Sequence, residues 1–324
     1  MEAERPTAAE YTLSTGGYFP LDQASMLRRM KKASEEQSGS KTPLQESASA
    51  ARMAQRPIRV IAITSGKGGV GKTNIATNLA WHLSQMNKKT LILDADMGLA
   101  NIDVILGLAP KYNLSHVLSG EKALADVILE GPGGMQILPA SSGIQEMAEL
   151  SKGEKLALID ELGGLGGEFD FLLIDTAAGI AGNVIYFNVA AREIVVVVSP
   201  EPTSITDAYA LIKILYSSYG EKRFMLLANR VRNSSEAREV FEKVSNATSH
   251  FLNLTIEYLG YVLDDTRVTE AVRQQKALAE IYPDSRANKC LQSIARKLCR
   301  IQPEFCESGS LKFFWKSIVD KGRG

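Results

Sequence analysis

Residues 65–74, Ser-Gly-Lys-Gly-Gly-Val-Gly-Lys-Thr-Asn, restrict the fold more than any other stretch of this 324-residue chain. They fit G-x-x-x-x-G-K-[ST], with Gly66, Gly71, Lys72 and Thr73 at the fixed positions. An apolar run at 58–64 precedes them and a helical pattern at 72–86 follows, so the motif sits at a strand–loop–helix junction. Gly66, Gly68, Gly69 and Gly71 let the backbone curl around an anion with its N–H groups turned inward. Val70 and Asn74 complete the loop and open the helix, whose N-terminus adds roughly half a positive charge. Lys72 is placed to reach β- and γ-phosphates, and the Thr73 hydroxyl to ligate Mg²⁺.

Beyond this loop the chain alternates between strand and helix. Apolar runs predict strands at 59–64, 90–94, 171–175, 193–199, 223–229 and 258–263, with a weaker one at 135–139. Helical periodicity covers 72–86, 203–219 and 234–249. Several strands are continuous Val/Ile/Leu runs, as expected when helices cover both faces of a parallel sheet. The expected fold is α/β: a doubly wound, mostly parallel sheet with helices on both faces and ligand sites outside the strand C-terminal ends.

Polar motifs fall at those ends. The run Thr90-Leu-Ile-Leu-Asp94-Ala-Asp96 closes a strand with two acids. Such acids either polarise water and metal or form the turn. The strand 171–175 ends in one carboxylate, Asp175, the form that holds Mg²⁺ through a coordinated water. Asn229-Arg230-Val231-Arg232 follows a late strand. Guanine readers carry an aspartate at the fourth position, and here it is Arg232. Asn229 is then either an adenine contact, pairing with N6 and N7, or a plain turn residue, and Arg230 stands beside it. In Ser199-Pro-Glu-Pro-Thr203-Ser204, either Thr203 or Ser204 is expected to cap the following helix. The loop and the asparagine together point to ATP with Mg²⁺.

Lys67, a second lysine inside KGGVGKT, resembles the deviant P-loop of the MinD/ParA family of ATPases. Met97-Gly98-Leu99-Ala100-Asn101-Ile102-Asp103 resembles the MinD-type continuation D-x-G-L-x-N-x-D, and Asp175-Thr-Ala-Ala-Gly179 is similar to D-x-P-A-G with Ala177 in place of proline. Upstream, Asp22, Gln23, Ala24, Leu27 and Arg28 match the D-Q-A-x-x-L-R signature of FlhG-type (FleN-like) ATPases, flagellar-number regulators within that family. The resemblance implies ATP hydrolysis, with Asp96 orienting the attacking water and Lys72 on the phosphates. Lys67 would reach the partner's nucleotide in an ATP-held homodimer, whose interface would include the Pro-Glu-Pro-Thr segment. It further implies an SRP-type GTPase (FlhF-like) docking on the D-Q-A-x-x-L-R arm, flagellar C-ring proteins and, as a further candidate, a flagellar transcription regulator.

Composition sets the remaining bounds. Lys+Arg and Asp+Glu number 37 each, so no overall basic excess suggests nucleic acid, and no nucleic-acid partner is expected. Cys290, Cys299 and Cys306 lack C-x-x-C spacing and suggest neither cluster nor disulfide framework. Three organisational parts are expected: a flexible arm at 1–57, the ATPase domain at 58–302, and a C-terminal helix at 303–324. In that helix Leu311, Phe314, Trp315 and Ile318 share a face, with Lys312, Lys316 and Lys321 around them. This suits either a helix docked on the domain or one lying in a membrane interface, and the resemblance favours the second. The expected location is cytoplasmic, peripheral at the inner face of the cell membrane when ATP is bound. A division-site MinD would share core and tail without the arm. A partition ATPase would need a basic DNA-binding surface, and a metabolic enzyme a substrate pocket that has no signature here.

Overall fold

The computed structural model describes residues 58–96, 101–139, 168–191 and 193–301. The strands are β1 (Arg59–Ser65), β2 (Thr90–Ala95), β3 (Leu129–Glu130), β4 (Gln136–Pro139), β5 (Phe171–Ala178), β6 (Glu193–Val198), β7 (Phe224–Val231) and β8 (Glu257–Leu263). They form one sheet in the order β3-β4-β2-β5-β1-β6-β7-β8. Among the described strands only the short β3 is antiparallel, against β4. The doubly wound architecture expected from the apolar runs is therefore the one found.

The described helices are α1 (Lys72–Gln85), α2 (Ile102–Leu106), α3 (Leu114–Leu118), α4 (Leu124–Val127), α5 (Gly182–Ala191), α6 (Pro202–Tyr219), α7 (Ser234–Leu252), α8 (Thr266–Arg273), α9 (Leu278–Ile281) and α10 (Arg286–Arg300). Their packing follows the two-residue alternation of the strands. Ile61 and Ile63 face α1 and α10 on one side of the sheet. Val60 and Ala62 face α5 and the short helices α3 and α4 on the other. Ile194, Val196 and Val198 pack under α6 and α7. Each central strand is thus buried on both faces, which explains why its sequence is a continuous apolar run.

Because β1 lies between β5 and β6, the chain winds away from it in both directions. That arrangement opens a crevice at its C-terminal end, where ligands bind in open α/β sheets. The opposite end of β1 is closed. Arg59 makes a two-point contact with Glu193, at 3.1 Å and 2.6 Å, and its remaining amino group donates to the carbonyls of Leu298 and Ile301. A bidentate pair whose spare donors are also used meets the condition for tolerating buried charge. It also satisfies carbonyls at the end of α10 that have no intrahelical partner.

A polar ladder ties α1 to the C-terminal segments. Asn78 accepts from the Ala279 amide at 3.1 Å, and His82 Nε2 bonds Asn288 Oδ1 at 2.8 Å. His116 takes part in a capping box with Asn113, and His250 lies exposed against Phe251.

Burial above all holds His82 below the ordinary imidazole value, Arg296 adding to the effect and the Asn288 bond opposing it. A histidine depressed in this way stays neutral in the fold while the unfolded chain takes up a proton, so stability is lost as pH falls below about 6.5. His82→Gln keeps a donor for Asn288 but does not titrate. Its melting temperature is expected to fall less than that of the parent between about pH 7.5 and 5.5. Parallel declines in the two proteins would remove His82 from the pH response.

Candidate functional site

The phosphate loop leaves β1 and turns into α1 through two left-handed glycines, Gly69 at φ 76° and Gly71 at φ 93°. Each lies in a region that a side chain disfavours. Gly66 is needed for another reason: a Cβ there would stand 2.2 Å from the Asp207 backbone, so only glycine lets α6 close on the loop. The Ser65 hydroxyl donates to the Lys67 carbonyl at 2.7 Å, and the Gly179 amide donates to the Ser65 carbonyl at 2.9 Å. The loop after β5 is therefore latched to the start of the phosphate loop.

Lys72 is buried, and burial lowers its ammonium against the opposing pull of Asp175 and Asp96. Asp175 is fully buried and pushed up to about 7, by burial first and then by the neighbouring carboxylates Asp94 and Asp96, with Thr73 and Lys72 opposing. Among the described residues, neither Asp175 oxygen has a hydrogen-bond partner. The Thr73 hydroxyl lies close enough to favour the charged carboxylate, yet outside hydrogen-bond geometry. Two bare buried oxygens beside a hydroxyl are the hard donors that Mg²⁺ takes, so the residues present fit the metal expected of them.

The two acids that close β2 have separate jobs. Asp94 accepts from the amides of Asp96 at 3.2 Å, Asn101 at 3.0 Å and Ile102 at 3.1 Å. It is the turn former, and burial pushes it up to about 6 against those three bonds. Asp96 is half-buried, and its Oδ2 accepts from the Asn101 side chain at 3.3 Å. Asp96 thus stands near Lys72 and Asp175. Residues 97–100 of the same motif lie outside the described residues.

Asn229 ends up against the phosphate loop, its amide donating to the Val70 carbonyl at 2.6 Å in the space that Gly71 leaves. Its carbonyl oxygen and second amide proton remain for a base. Gly69, Gly71, Asn74, Asn229 and Arg230 line one cavity of about 270 Å³, closed on the far side by Val262, Val268 and Leu278. Arg230 holds a left-handed backbone, at φ 59°, with Asp264 at 3.9 Å from its guanidinium.

Lys67 does not point into this site. Its ammonium pairs with Glu201 and donates to the Thr203 hydroxyl at 2.9 Å, beside the start of α6. The expected capping of α6 by Thr203 or Ser204 is corrected by the structure. Glu201 takes the N-cap position without a side-chain bond, and Pro202 opens the helix. Thr203 receives Lys67 instead, and the Ser204 hydroxyl accepts from the Ser199 amide at 3.0 Å. Proline suits the first helical turn because its missing N–H would have no partner there, which displaces the start by one residue.

Asp22, Gln23, Ala24, Leu27 and Arg28 of the arm, and Leu311, Phe314, Trp315 and Ile318 of the tail, lie outside the described residues. Three features were not anticipated from the sequence: Asn101 on Asp96, Glu201 on Lys67, and the wall from Val262 to Leu278. Asn101 and Glu201 do sit inside motifs that the sequence singles out. The wall is assembled from segments without a polar signature, and only the fold brings it to the loop.

Residues 58–223 match the family model described as an AAA domain. The antiactivator FleN of Pseudomonas aeruginosa is 44% identical over 263 residues, covering 81% of this chain and 94% of that protein. The flagellum site-determining protein YlxH of Helicobacter pylori is 38% identical over 239 residues, covering 73% of this chain and 80% of that one. Among solved structures, the MinC:MinD cell division protein complex of Aquifex aeolicus aligns with a TM-score of 0.59 at 27% identity, over 77% of this chain and 99% of that one.

The geometry around Asp175 sets a metal test. Mg²⁺ added with ATP is expected to raise the melting temperature of the parent protein beyond ATP alone. A ligand at about 100 times its Kd contributes roughly 2.7 kcal/mol. Asp175→Asn should keep the increment due to ATP and lose the one due to Mg²⁺. An undiminished Mg²⁺ increment in the variant would show that Asp175 does not hold the metal.

Proposed function

Because the chain belongs to the MinD/ParA family of P-loop ATPases, in its FlhG-type (FleN-like) branch, we propose that it is an ATP-dependent dimerising switch that sets flagellar number and placement. The observation that carries this reading is the position of Lys67. A lysine inside a phosphate loop would normally be spent on the loop's own ligand. Here it lies at the edge of α6, half-exposed and held by Glu201 and Thr203, where a second copy could take it up. The identity to FleN and YlxH supports the flagellar assignment.

In the proposed cycle Lys72 holds the β- and γ-phosphates, and the loop amides and the α1 N-terminus surround them. Mg²⁺ held by Thr73 and Asp175 would neutralise charge that develops on the transferred phosphoryl group. Asp96, aimed by Asn101, positions the water for in-line attack. Lys67, released from Glu201, would cross to the nucleotide of the second copy. Asn229 and the 270 Å³ cavity would take the adenine. The D-Q-A-x-x-L-R arm would dock on an SRP-type GTPase. The tail at 303–324 would anchor the dimer on a lipid surface, and hydrolysis would release it.

Two experiments test the proposal. Asp96→Ala is expected to bind ATP, cut turnover by about 10² or more, and collect on vesicles as a dimer, while adding Trp315→Glu should return the protein to the supernatant. Normal turnover by the first variant, or continued pelleting of the second, would break the corresponding step. The arm is tested by measuring GTP hydrolysis by the host's SRP-type flagellar GTPase with the full-length chain. Stimulation is expected, and it should be lost in Asp22→Ala/Gln23→Ala. Unchanged GTP turnover with the unaltered chain would detach the flagellar output from this ATPase.

A further inference from the structure

A run of uncompensated positive charge lies on the outer face of α10, a helix that leads from the cavity wall at Leu291 to the end of the sheet opposite the phosphate loop, where Arg59 holds its last carbonyls. The helix Arg286–Arg300 carries five basic side chains and no acidic one in fifteen residues, within a chain whose basic and acidic residues balance at 37 each. At 3.6 residues per turn, Arg286, Lys289, Arg296, Lys297 and Arg300 fall within an arc of about 100°. All five are exposed, whereas Ala287, Leu291, Ile294, Ala295 and Leu298 form the buried face.

Counter-charges are few. Lys289 has Asp284 at 3.4 Å, an exposed pair of little energetic consequence. Lys297 bonds the Tyr258 carbonyl. Arg286, Arg296 and Arg300 form no salt bridge among the described residues. A merely solvated helix face gains from mixing signs at three- and four-residue spacing, as α8 does with Arg267 and Glu270. Five like charges on one stripe instead repel one another, and that arrangement suits a surface that supplies the anions.

We propose that the basic stripe of α10 is a second membrane contact, lying on the headgroups of anionic lipids while the tail at 303–324 inserts. This rests on the membrane reading given above. The occupant follows from charge and from chain geometry. Arg59 fixes the end of α10 to the start of β1, at the end of the sheet opposite the phosphate loop. Ten residues, 301–310, then lead to the apolar face that begins at Leu311. At roughly 3.5 Å per residue they reach at most about 35 Å, so a membrane holding the tail lies within reach of the stripe. An anionic leaflet attracts each nearby lysine or arginine enough to change binding by about fivefold, within a Debye length of the surface. Weak insertion combined with a polybasic patch gives firmer anchoring than either signal alone.

The test uses full-length protein with Mg-ATP and sedimentation on two vesicle types, neutral phosphatidylcholine and the same lipid with about one third phosphatidylglycerol. The variant Arg286→Gln/Lys289→Gln/Arg296→Gln/Arg300→Gln keeps side-chain length and helix propensity, and retained ATP turnover confirms its fold. Wild type is expected to prefer the anionic vesicles by at least about tenfold, less so in high salt. The variant should lose that preference while binding neutral vesicles like wild type. Equal binding of variant and wild type to anionic vesicles overturns the stripe and leaves the tail as sole anchor. Absence of wild-type binding to both vesicles removes the membrane reading itself, and the stripe with it. Duplex DNA binding that the variant loses, with vesicle binding unchanged, would reassign the stripe to nucleic acid and overturn the proposal.

Discussion

Three carboxylates and one buried ammonium share the strand ends at the centre of this sheet, and much of the site follows from that crowding. Parallel pairing of β2 with β5 places Asp94 directly opposite Asp175. Two buried acids at adjacent strand ends repel, and each must find compensation. Asp94 finds it locally, in three backbone amides that close the following turn. Asp175 finds none among hydrogen-bond donors, and Lys72 opposes the effect of its burial only in part. Among the described residues a pair of buried oxygens is thus left unsatisfied, a cost in the fold that a bound cation would offset.

The same constraint explains how distant loops answer to one site. Asp94 holds the turn that carries Asp96, so the group proposed to position water is fixed by the acid two residues before it. The loop after β5 hangs on the Ser65 carbonyl, and α6 rests against Gly66 through backbone that leaves no room for a side chain. Any shift of the phosphate loop is felt by both. Lys67 and Glu201 sit at that junction, so a lysine that left for a second copy, as proposed, would also loosen the contact of the loop with the start of α6.

Much of this was legible in the chain because its determinants are local. The loop glycines, Lys72, Thr73, Asp175 and the apolar runs each declare themselves within a few residues, and the sheet followed from them, although β5 runs on to Ala178 past its expected end at Asp175. Asp94 was ambiguous for a physical reason: an acid that forms a turn and an acid that orders water look alike until the amides are placed. Glu201 and Asn101 were inside recognised motifs, but their partners lie 134 and 5 residues away, and only coordinates pair them. Helix α5 was missed because its sequence, GNVIYFNVAA, is nearly uniform in hydrophobicity and lacks a one-sided periodicity. The start of α6 was displaced because proline carries the first turn without a capping side chain.

In the proposed cycle, any route from nucleotide to membrane is constrained by the rigidity of α1 and α10. Asn74 lines the nucleotide cavity, and the Asn78 amide donates to its carbonyl at 2.8 Å. Asn78 and His82 then bond α9 and α10 in turn, four residues apart on one side of α1. Arg59 pins the far end of α10 to β1 and Glu193. Bonds of this kind, buried and mutually supporting, resist sliding of one helix past the other. A nucleotide signal is then poorly placed to reach the tail by moving α10. In the proposed cycle it would act through the number of copies instead, since two tails and two basic stripes on one dimer would gain roughly 10²–10⁴ in avidity without any change in either protomer. If membrane affinity depends on dimerisation, as proposed, such a rigid body would need only one bistable element, and the Lys67–Glu201 contact at the edge of α6 is placed to be it.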